Sequence, residues 1–369
     1  MKGRERSLKA LDLNEPDRVP ITELSIDLTH LEKIYGETTS VKDAFKSDVQ
    51  SFSDRRIEKL RLDMKVECYR KLGFDLITCS PSTPDDYRPK KNEDGTIIDE
   101  LGRILIYDAR CKTWIPYRSI FNTPEDFERY EFPEAQAPGR TFAIEYVSEK
   151  VGEDLLVAGV IRDPFASVWE MFTPINFVRW MYYEPRIIDE AMKRLTEFNV
   201  KIIELLVDSG AELIISTGDY CEKKGTMVPV RFFKEKVFPN LRKQVNAAHR
   251  KGVKFIKHTD GNINPILEEL SSIVDGLHSL DPSAGVDIGS VKERYGDKLV
   301  LMGNVSVDTL SRGSREDVVR ETKECIRKAS PGGGHILSSS NSWYTDAKLE
   351  NCLTMVEIGR RYGKYPISI

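Results

Sequence analysis

The chain has 369 residues, of which 40% are hydrophobic and 31% are charged, and its formal net charge is −4 at pH 7. This length and composition suffice for one large domain, and we expect a single domain over residues 1–369. The interspersed charges argue against a nucleic-acid or anionic-membrane surface, and no run approaches the roughly 18 apolar residues of a membrane span.

Cysteine spacing and the N-terminus indicate the compartment. The cysteines are scattered without close pairs, as is typical of reduced thiols; they are Cys68, Cys79, Cys111, Cys221, Cys325 and Cys352. The opening residues MKGRER lead into no apolar run, so we expect no secretory signal. These features predict a cytoplasmic protein.

Short apolar runs, most of which end in a small or polar residue, predict eight strands. They cover residues 19–24, 74–79, 155–160, 213–217, 254–258, 276–280, 299–305 and 335–339. Helical periodicity predicts helices at 185–207, 232–250, 315–328 and 349–362. Helix and strand alternate with short turns from residue 185 onward, which favours a parallel sheet closed into a (β/α)8 TIM-like barrel. A doubly wound open sheet is the alternative, but no glycine-rich turn follows the first strand.

The N-terminal third is less regular than the rest. We expect an N-terminal extension before the first strand. The proline-rich residues 81–135 predict a β-hairpin insertion after the second strand, with NEDG at 92–95 as its tight turn.

The strongest functional signal is the C-terminal end of the strand at 254–258. Alternation with period two places His258 and Asp260 on one face of this strand, at its tip. In a parallel barrel, the C-terminal tips of all strands together form the active site. The polar residues at or near these tips are Glu23, Cys79, Arg162, Asp163, Asp219, Glu222, His258, Asp260, Asp281, Asn304 and Asn341.

Several carboxylates around one imidazole require a cation, shared protons or a cationic substrate. Imidazole with oxygen or sulfur ligands suits zinc. Each residue also has a structural interpretation: Asp281 and Asn304 could cap the following helices, and His258 could be a packing residue. His278 and His335 lie inside strands and are interpreted as packing residues. The chain lacks Gly-x-Ser-x-Gly, Walker-type and Cys-x-x-Cys motifs, so the pattern indicates a barrel enzyme with a metal or acid–base cluster.

Ordered motifs along nearly the whole chain resemble the uroporphyrinogen decarboxylase superfamily. They read DRVP at 17–20, LGFD at 72–75, HTDGN at 258–262, LMGNV at 301–305 and PGGG at 331–334. The resemblance implies a (β/α)8 barrel. Decarboxylase members carry an arginine-rich segment near the first strand and an aspartate after the second strand. Here residues 21–27 read ITELSID and residues 78–82 read TCSPS, so both features are missing.

The other branch of the superfamily comprises cobalamin-dependent methyltransferases. Thiol-methylating members hold zinc through His-x-Cys and a later cysteine, whereas this chain has His258, then Asp260, and Asn341 near the second cysteine position. Relatives that demethylate methoxylated aromatics use more oxygen-rich zinc sites, and Glu222 with His258 resembles such a pair. The resemblance therefore implies zinc held by His258, Glu222 and Asp260.

In this interpretation Asp219 or Asp281 supplies a proton or orients the leaving group, and Asn304 completes the catalytic set. We expect Cys79, Arg162, Tyr220 and Asn341 to contact the substrate. The predicted reaction moves a methyl group from a methoxylated aromatic to Co(I) of a separate corrinoid protein, because no cobalamin-binding domain fits in this chain. The alternatives are a tetrapyrrole decarboxylase and a non-catalytic corrinoid- or tetrapyrrole-binding barrel.

Overall fold

A computed structural model describes residues 1–36 and 54–369, and its centre is a seven-stranded parallel sheet. The strands are β1 (Leu76–Cys79), β2 (Lys90–Lys91), β3 (Ile97–Ile98), β4 (Arg103–Asp108), β5 (Thr113–Ser119), β6 (Leu156–Arg162), β7 (Leu213–Thr217), β8 (Cys221–Glu222), β9 (Gly225–Thr226), β10 (Lys254–Thr259), β11 (Gly276–Ser279), β12 (Val300–Val305) and β13 (His335–Ser339). The central sheet runs β1-β6-β7-β10-β11-β12-β13, with every neighbouring pair parallel. Spatial order equals chain order, as successive right-handed crossovers produce in a barrel.

Helices cover the outside of this sheet and one end of it. Those of five residues or more are Gly3–Leu11, Leu28–Tyr35, Arg55–Leu72, Pro124–Glu128, Phe142–Val151, Pro164–Tyr183, Pro185–Asp208, Phe238–Arg250, Leu267–Ser271, Ile288–Tyr295, Val307–Arg312, Arg315–Ala329 and Leu349–Tyr362. Three of the four predicted helices agree to within one residue at either end. The helix predicted at 232–250 is also present, but a π-helical turn at Phe233–Val237 separates the short α-helix Val230–Phe232 from the α-helix Phe238–Arg250.

The strand predicted at 19–24 is not a regular strand, yet this segment closes the barrel. The amide of Leu337 donates to the Pro20 carbonyl at 2.8 Å, and the amide of Thr22 donates to the Leu337 carbonyl at 3.1 Å. On the other side, the amide of Asp75 donates to the Ile21 carbonyl at 2.9 Å. Pro20 has no N–H, and the Ile21 N–H donates to the Asp75 side chain at 2.8 Å. Neither residue therefore donates a backbone hydrogen bond to a neighbouring strand, and the segment is not a regular strand. The (β/α)8 architecture is therefore confirmed, with an irregular eighth member.

The barrel interior changes from apolar to polar along the strands. Its apolar layers are formed by every second residue of the strands and include Leu76, Leu156, Leu213, Ile215, Ile256, Val300, Met302 and Ile336. Ala10 and Leu11 of the N-terminal helix pack against this set. Towards the C-terminal tips, interior positions become polar, as at His258 and His278. This polar end is the mouth of the barrel.

The insertion at 81–135 contains a four-stranded antiparallel sheet in the order β2-β3-β4-β5. The predicted turn at 92–95 is present: the amide of Gly95 donates to the Asn92 carbonyl at 3.1 Å. Gly95 has φ of +83°, a conformation that favours glycine. Among the helices of the described residues, none combines the length and apolar character needed to cross a membrane.

Candidate active site

Three titratable side chains converge at the barrel mouth. Nε2 of His258, near the tip of β10, lies 3.7 Å from Oδ1 of Asp219 and 3.8 Å from Oδ1 of Asp260. One possible ligand atom from each residue lies within 4.8 Å of the others. The backbone amide of Asp260 donates to Oδ1 of Asp219 at 2.9 Å, which ties the loop after β7 to the end of β10. We call Asp219, His258 and Asp260 the mouth cluster.

Asp260 is the electrostatically strained member of the mouth cluster. Burial and the neighbouring charge of Asp219 raise the pKa of Asp260 to about 7. Its Oδ2 accepts a hydrogen bond from Nδ2 of Asn341, whereas its buried Oδ1 forms no hydrogen bond of normal geometry among the described residues; the nearby Ser279 hydroxyl lowers the pKa of Asp260 but is itself without a well-aligned partner. A buried carboxylate oxygen without a donor is costly. This oxygen therefore marks a position for a proton or a cation.

A second histidine contacts Nδ1 of His258, the ring nitrogen that is not directed at the two carboxylates. Nδ1 of His258 lies 2.7 Å from Nδ1 of His278, and Nε2 of His278 lies 3.2 Å from Oγ of Ser338. Burial, together with the positive charges of Lys257 and Arg162, lowers the pKa of His258 to about 3. Burial also holds the pKa of His278 well below its ordinary value. Both imidazoles are therefore neutral at physiological pH, and a neutral imidazole is the form that binds a metal.

The opposite face of β10 fixes the loop that carries Asp219. The fully buried Lys257 ammonium donates to the Gly218 carbonyl at 2.7 Å and lies 3.6 Å from Oδ2 of Asp163. The hydroxyl of Tyr220 donates to the same Asp163 oxygen at 2.6 Å. The residues on both sides of Asp219 are thereby anchored, and so the position of Asp219 is predetermined.

Glycine is required where the β8–β9 hairpin crosses the end of β10. Gly261 has φ of +81°, and a Cβ there would lie 2.7 Å from backbone atoms of Cys221 and Glu222. The amide of Asn262 donates to the Glu222 carbonyl at 2.9 Å. The glycine of HTDGN thus permits the close backbone approach that packs this hairpin beside the mouth cluster.

The structure brings together four of the residues singled out from the sequence: Asp219, His258, Asp260 and Asn341. His278 contacts His258 directly, a neighbour that sequence reasoning missed because it interpreted His278 as a packing residue. A signal was available, because His258 and His278 lie near the ends of consecutive predicted strands. They are indeed register partners in β10 and β11.

Three predicted residues lie elsewhere. The side chain of Glu222 is exposed on β8 and is not part of the mouth cluster, where Asp219 takes its place. Cys79 lies in the hydrophobic core around the barrel, because alternation along β1 separates it from the inward-facing Leu76; burial raises its pKa to about 11. Tyr220 is fully buried with its hydroxyl bonded to Asp163.

Arg162 lines a cavity of about 340 Å³ together with Arg103, Arg140 and Thr217. Its guanidinium pairs with Glu170, with Nε 2.9 Å from Oε1, and its side chain is 40% exposed. A contact of Arg162 with substrate stays a prediction.

Asp281 and Asn304 have structural partners. Asp281 caps the short helical turn after β11, where its Oδ1 accepts from the Ser283 amide at 2.8 Å. Nδ2 of Asn304 donates to the Leu280 carbonyl at 2.8 Å. Asn304 lines a different cavity, of about 310 Å³, with residues such as Glu321 and Lys328. The capping interpretation thus applies to Asp281, and Asn304 supports the turn that follows β11.

The donor set of the mouth cluster fits a divalent metal ion. Catalytic zinc sites use three protein ligands of the imidazole and carboxylate types and keep one position open. His258 offers a neutral ring nitrogen, and the unpartnered Oδ1 of Asp260 lies on the same side as Asp219. The amide of Asn341 already holds the other Asp260 oxygen, as outer hydrogen bonds do for ligating carboxylates.

Comparisons with known proteins agree with this architecture. A methylcobamide:CoM methyltransferase MtaA from Methanosarcina barkeri is 26% identical over 222 residues, which are 60% of this chain and 62% of that protein. A uroporphyrinogen decarboxylase from Methylococcus capsulatus is 22% identical over 234 residues, 61% of this chain and 65% of the relative. The chain therefore aligns with less than two thirds of the length of these relatives.

A solved structure described as a methyltransferase from Methanosarcina mazei superposes with a TM-score of 0.73 at 20% identity, covering 98% of this chain and 99% of that one. At this identity the superposition establishes the fold. The family model described as uroporphyrinogen decarboxylase (URO-D) matches residues 112–362, which include the mouth cluster and six of the seven barrel strands entirely. The chain belongs to the uroporphyrinogen decarboxylase family.

Proposed function

We propose that this protein is a methyltransferase that moves a methyl group from a methoxylated aromatic compound to Co(I) of a separate corrinoid protein. The observation that carries the proposal is the mouth cluster, an oxygen-rich set of one neutral imidazole and two carboxylates, in which one buried oxygen has no well-aligned donor in the described part of the chain. Family membership and a relative named as a methylcobamide:CoM methyltransferase support this class of reaction. The cysteine-poor donor set favours an ether oxygen over a thiol as the group that meets the metal.

In the proposed site, His258 and Asp260 hold zinc, and Asp219 takes the role that the sequence assigned to Glu222. A bound Zn²⁺ would supply Lewis acidity to the ether oxygen of the substrate. The methyl group leaves without its bonding electrons, and the aryl oxygen keeps the electron pair of the broken C–O bond. Asp281 remains the proposed orienting group for that oxygen, since it lies close enough for its charge to contribute to the raised pKa of Asp260.

The setting of the proposed reaction is cytoplasmic and reducing. All six cysteines are free thiols, as a reducing compartment allows. A corrinoid in the Co(I) state also requires reducing conditions, so compartment and chemistry are consistent.

The first test is the metal content of the purified protein, measured by elemental analysis for wild type and His258→Ala. We expect about one zinc per wild-type chain and its loss in the variant, because the imidazole is the nitrogen ligand. The matched control is His249→Ala, which removes an exposed histidine paired with Asp275 in the last turn of the helix that precedes β10. An equal zinc content in wild type and His258→Ala would show that His258 is not a metal ligand.

The second test is turnover. Purified protein, a reduced corrinoid protein and individual methoxylated aromatics are mixed, and the loss of the Co(I) absorption is followed alongside the phenol formed. Absence of methyl transfer from every methoxylated aromatic tried would contradict the proposed substrate class. Release of carbon dioxide from uroporphyrinogen would instead support the decarboxylase activity named for the second relative.

A further inference from the structure

His258 and His278 form a buried pair across two neighbouring strands. They are register partners in β10 and β11, and each is at most 5% exposed. Their Nδ1 atoms lie 2.7 Å apart, with ring centroids 4.9 Å apart and ring planes tilted by 37°. A nitrogen–nitrogen contact this short requires one N–H donor and one bare acceptor. The two rings therefore share a single proton along this contact.

The direction of this hydrogen bond is decided on the far side of His278. Nε2 of His278 lies 3.2 Å from Oγ of Ser338, and this hydroxyl donates its proton to the Ser339 carbonyl at 2.9 Å. A hydroxyl has only one proton, so Ser338 accepts from His278. A neutral His278 then carries its N–H at Nε2, which leaves its Nδ1 as the acceptor. Nδ1 of His258 must donate to it.

The same proton count leaves Nε2 of His258 bare, since burial disfavours a cationic imidazole. We propose that His278 and Ser338 are positioning residues that fix His258 in the tautomer presenting a lone pair, not an N–H, to the mouth cluster. The opposite tautomer would place an N–H at 3.7 and 3.8 Å from the two carboxylates, beyond hydrogen-bond range. It would also draw the Ser338 proton away from the Ser339 carbonyl.

This inference rests on the proposed function in one respect: a lone pair at Nε2 is what a metal ligand needs. The outer hydrogen bonds of ligating histidines orient the ring and raise its basicity, and their loss costs about 10- to 100-fold in metal affinity. His278 and Ser338 are thus assigned to metal affinity through His258, without contact to the substrate.

The direct test is nitrogen NMR of the full chain labelled with ¹⁵N-histidine, prepared free of metal. Couplings between ring nitrogens and carbon-bound protons identify which nitrogen of each histidine carries the proton. We expect Nδ1–H at His258 and Nε2–H at His278. A protonated Nε2 at His258 would overturn the inference.

The second measurement is calorimetric titration of the metal-free protein with Zn²⁺. We expect His278→Leu to weaken Zn²⁺ binding about 10- to 100-fold, and His278→Asn, whose amide oxygen can accept from Nδ1 of His258, to recover part of it. Ser338→Ala should change the His258 tautomer population in the NMR spectrum. Because it removes only a hydroxyl, this variant and His278→Asn decide the matter if His278→Leu fails to fold.

The matched control is His335→Leu. His335 is also a buried strand histidine, but its nitrogens contact Oγ of Ser330 at 2.7 Å and the Gly303 carbonyl at 2.9 Å. This variant should leave Zn²⁺ affinity unchanged. Equal losses in His278→Leu and His335→Leu would reduce the role of His278 to packing and contradict the inference.

The two proposals fail in different ways. If wild type binds no Zn²⁺, the metal part of the proposed function is wrong, while the NMR measurement still decides the tautomer. If wild type binds Zn²⁺ but Nε2 of His258 is protonated in the metal-free protein, only the inference about His278 and Ser338 is wrong.

Discussion

Strand β10 carries two buried polar networks on opposite faces, and they differ in how completely they are satisfied. On the outer face, the Lys257 ammonium has the Gly218 carbonyl, the Asp163 carboxylate and the face of the Tyr220 ring as partners, the ring centroid being 4.1 Å away. On the inner side, Asp260, which directly follows β10, keeps one buried oxygen without a well-aligned donor among the described residues.

The difference distinguishes a network that stabilises the fold from one that is suited to binding a ligand or a proton. A buried charge whose partners are all present stabilises one arrangement of the loops around it. A buried charge with a missing partner lowers stability and is retained where a ligand or proton completes it. Residues three positions apart, at and just after the end of one strand, can therefore serve opposite purposes, and the comparison predicts opposite responses to substitution.

The largest expected effect is that of Lys257→Met on stability. Removing the ammonium leaves the buried Asp163 carboxylate without its cation, and breaking a buried pair costs about 3–5 kcal/mol. Urea denaturation followed by circular dichroism measures the free energy of unfolding. The control Lys251→Met breaks the exposed pair with Asp208, 2.7 Å long, and should cost less than about 1 kcal/mol. Similar losses in both variants would contradict a stabilising role for the Lys257 network.

The same isosteric change should act with opposite sign on the two faces. Asp163→Asn leaves the buried Lys257 ammonium unpaired and should lower the free energy of unfolding by about 3 kcal/mol. Asp260→Asn removes a buried negative charge beside that of Asp219, and should raise the free energy of unfolding by about 1 kcal/mol at pH 8 in metal-free protein. Denaturant titrations of both variants, with Zn²⁺ affinity of Asp260→Asn expected to fall, test the comparison. Destabilisation by both changes would refute it.

Glu23 is an intermediate case, since it is fully buried yet accepts from the Ser339 amide at 3.1 Å, the Ser339 hydroxyl at 2.8 Å and the Leu24 amide at 3.2 Å. Burial nevertheless raises its pKa from 4.5 to about 8. Folding thus takes up a proton between these pH values, so the free energy of unfolding falls as pH rises through this window.

We expect Glu23→Gln to remove a fall on the order of 1–2 kcal/mol between pH 5 and about 8. Thermal or denaturant unfolding of wild type and variant across this range measures the slope. Parallel pH profiles for the two proteins would show that Glu23 stays ionised.

The smallest expected effect is that of Glu222→Gln on metal binding. The side chain is exposed on β8, outside the mouth cluster, so Zn²⁺ affinity should stay within about twofold of wild type. Asp219→Asn in the same calorimetric assay should weaken binding by at least about tenfold. A large loss in Glu222→Gln alone would restore the ligand set that the family resemblance implied.

Most of the barrel could be predicted from the sequence because strand and helix periods are local. Alternation at 254–258, the helix at 185–207 and the turn at 92–95 each depend on residues that are neighbours in the chain. The closing segment at 19–24 was predicted as a strand because its composition is apolar. It is irregular because the Ile21 amide bonds to the Asp75 side chain, a partner more than 50 residues away.

The sequence indicated which side chains share a face of a strand, but not which residues of different loops lie close together. Period two indicated that His258 and Asp260 share a face, and both lie in the mouth cluster. The choice between Asp219 and Glu222 could not be made in this way, because both follow the same strand. The turn into the β8–β9 hairpin directs Glu222 to solvent and leaves Asp219 beside His258.

The amino-acid sequence by itself determined the barrel, its mouth and the presence there of an imidazole among carboxylates, because those properties follow from the period and ends of individual strands. Only the tertiary structure decided which groups lie close together: the contact of His258 with His278, the proximity of Asp219 to His258, and the Asp260 oxygen that has no well-aligned donor among the described residues. The physical reason is that hydrogen bonds and charge interactions act over a few ångströms across neighbouring strands. Their partners are set by the register of the closed barrel, which no single strand contains.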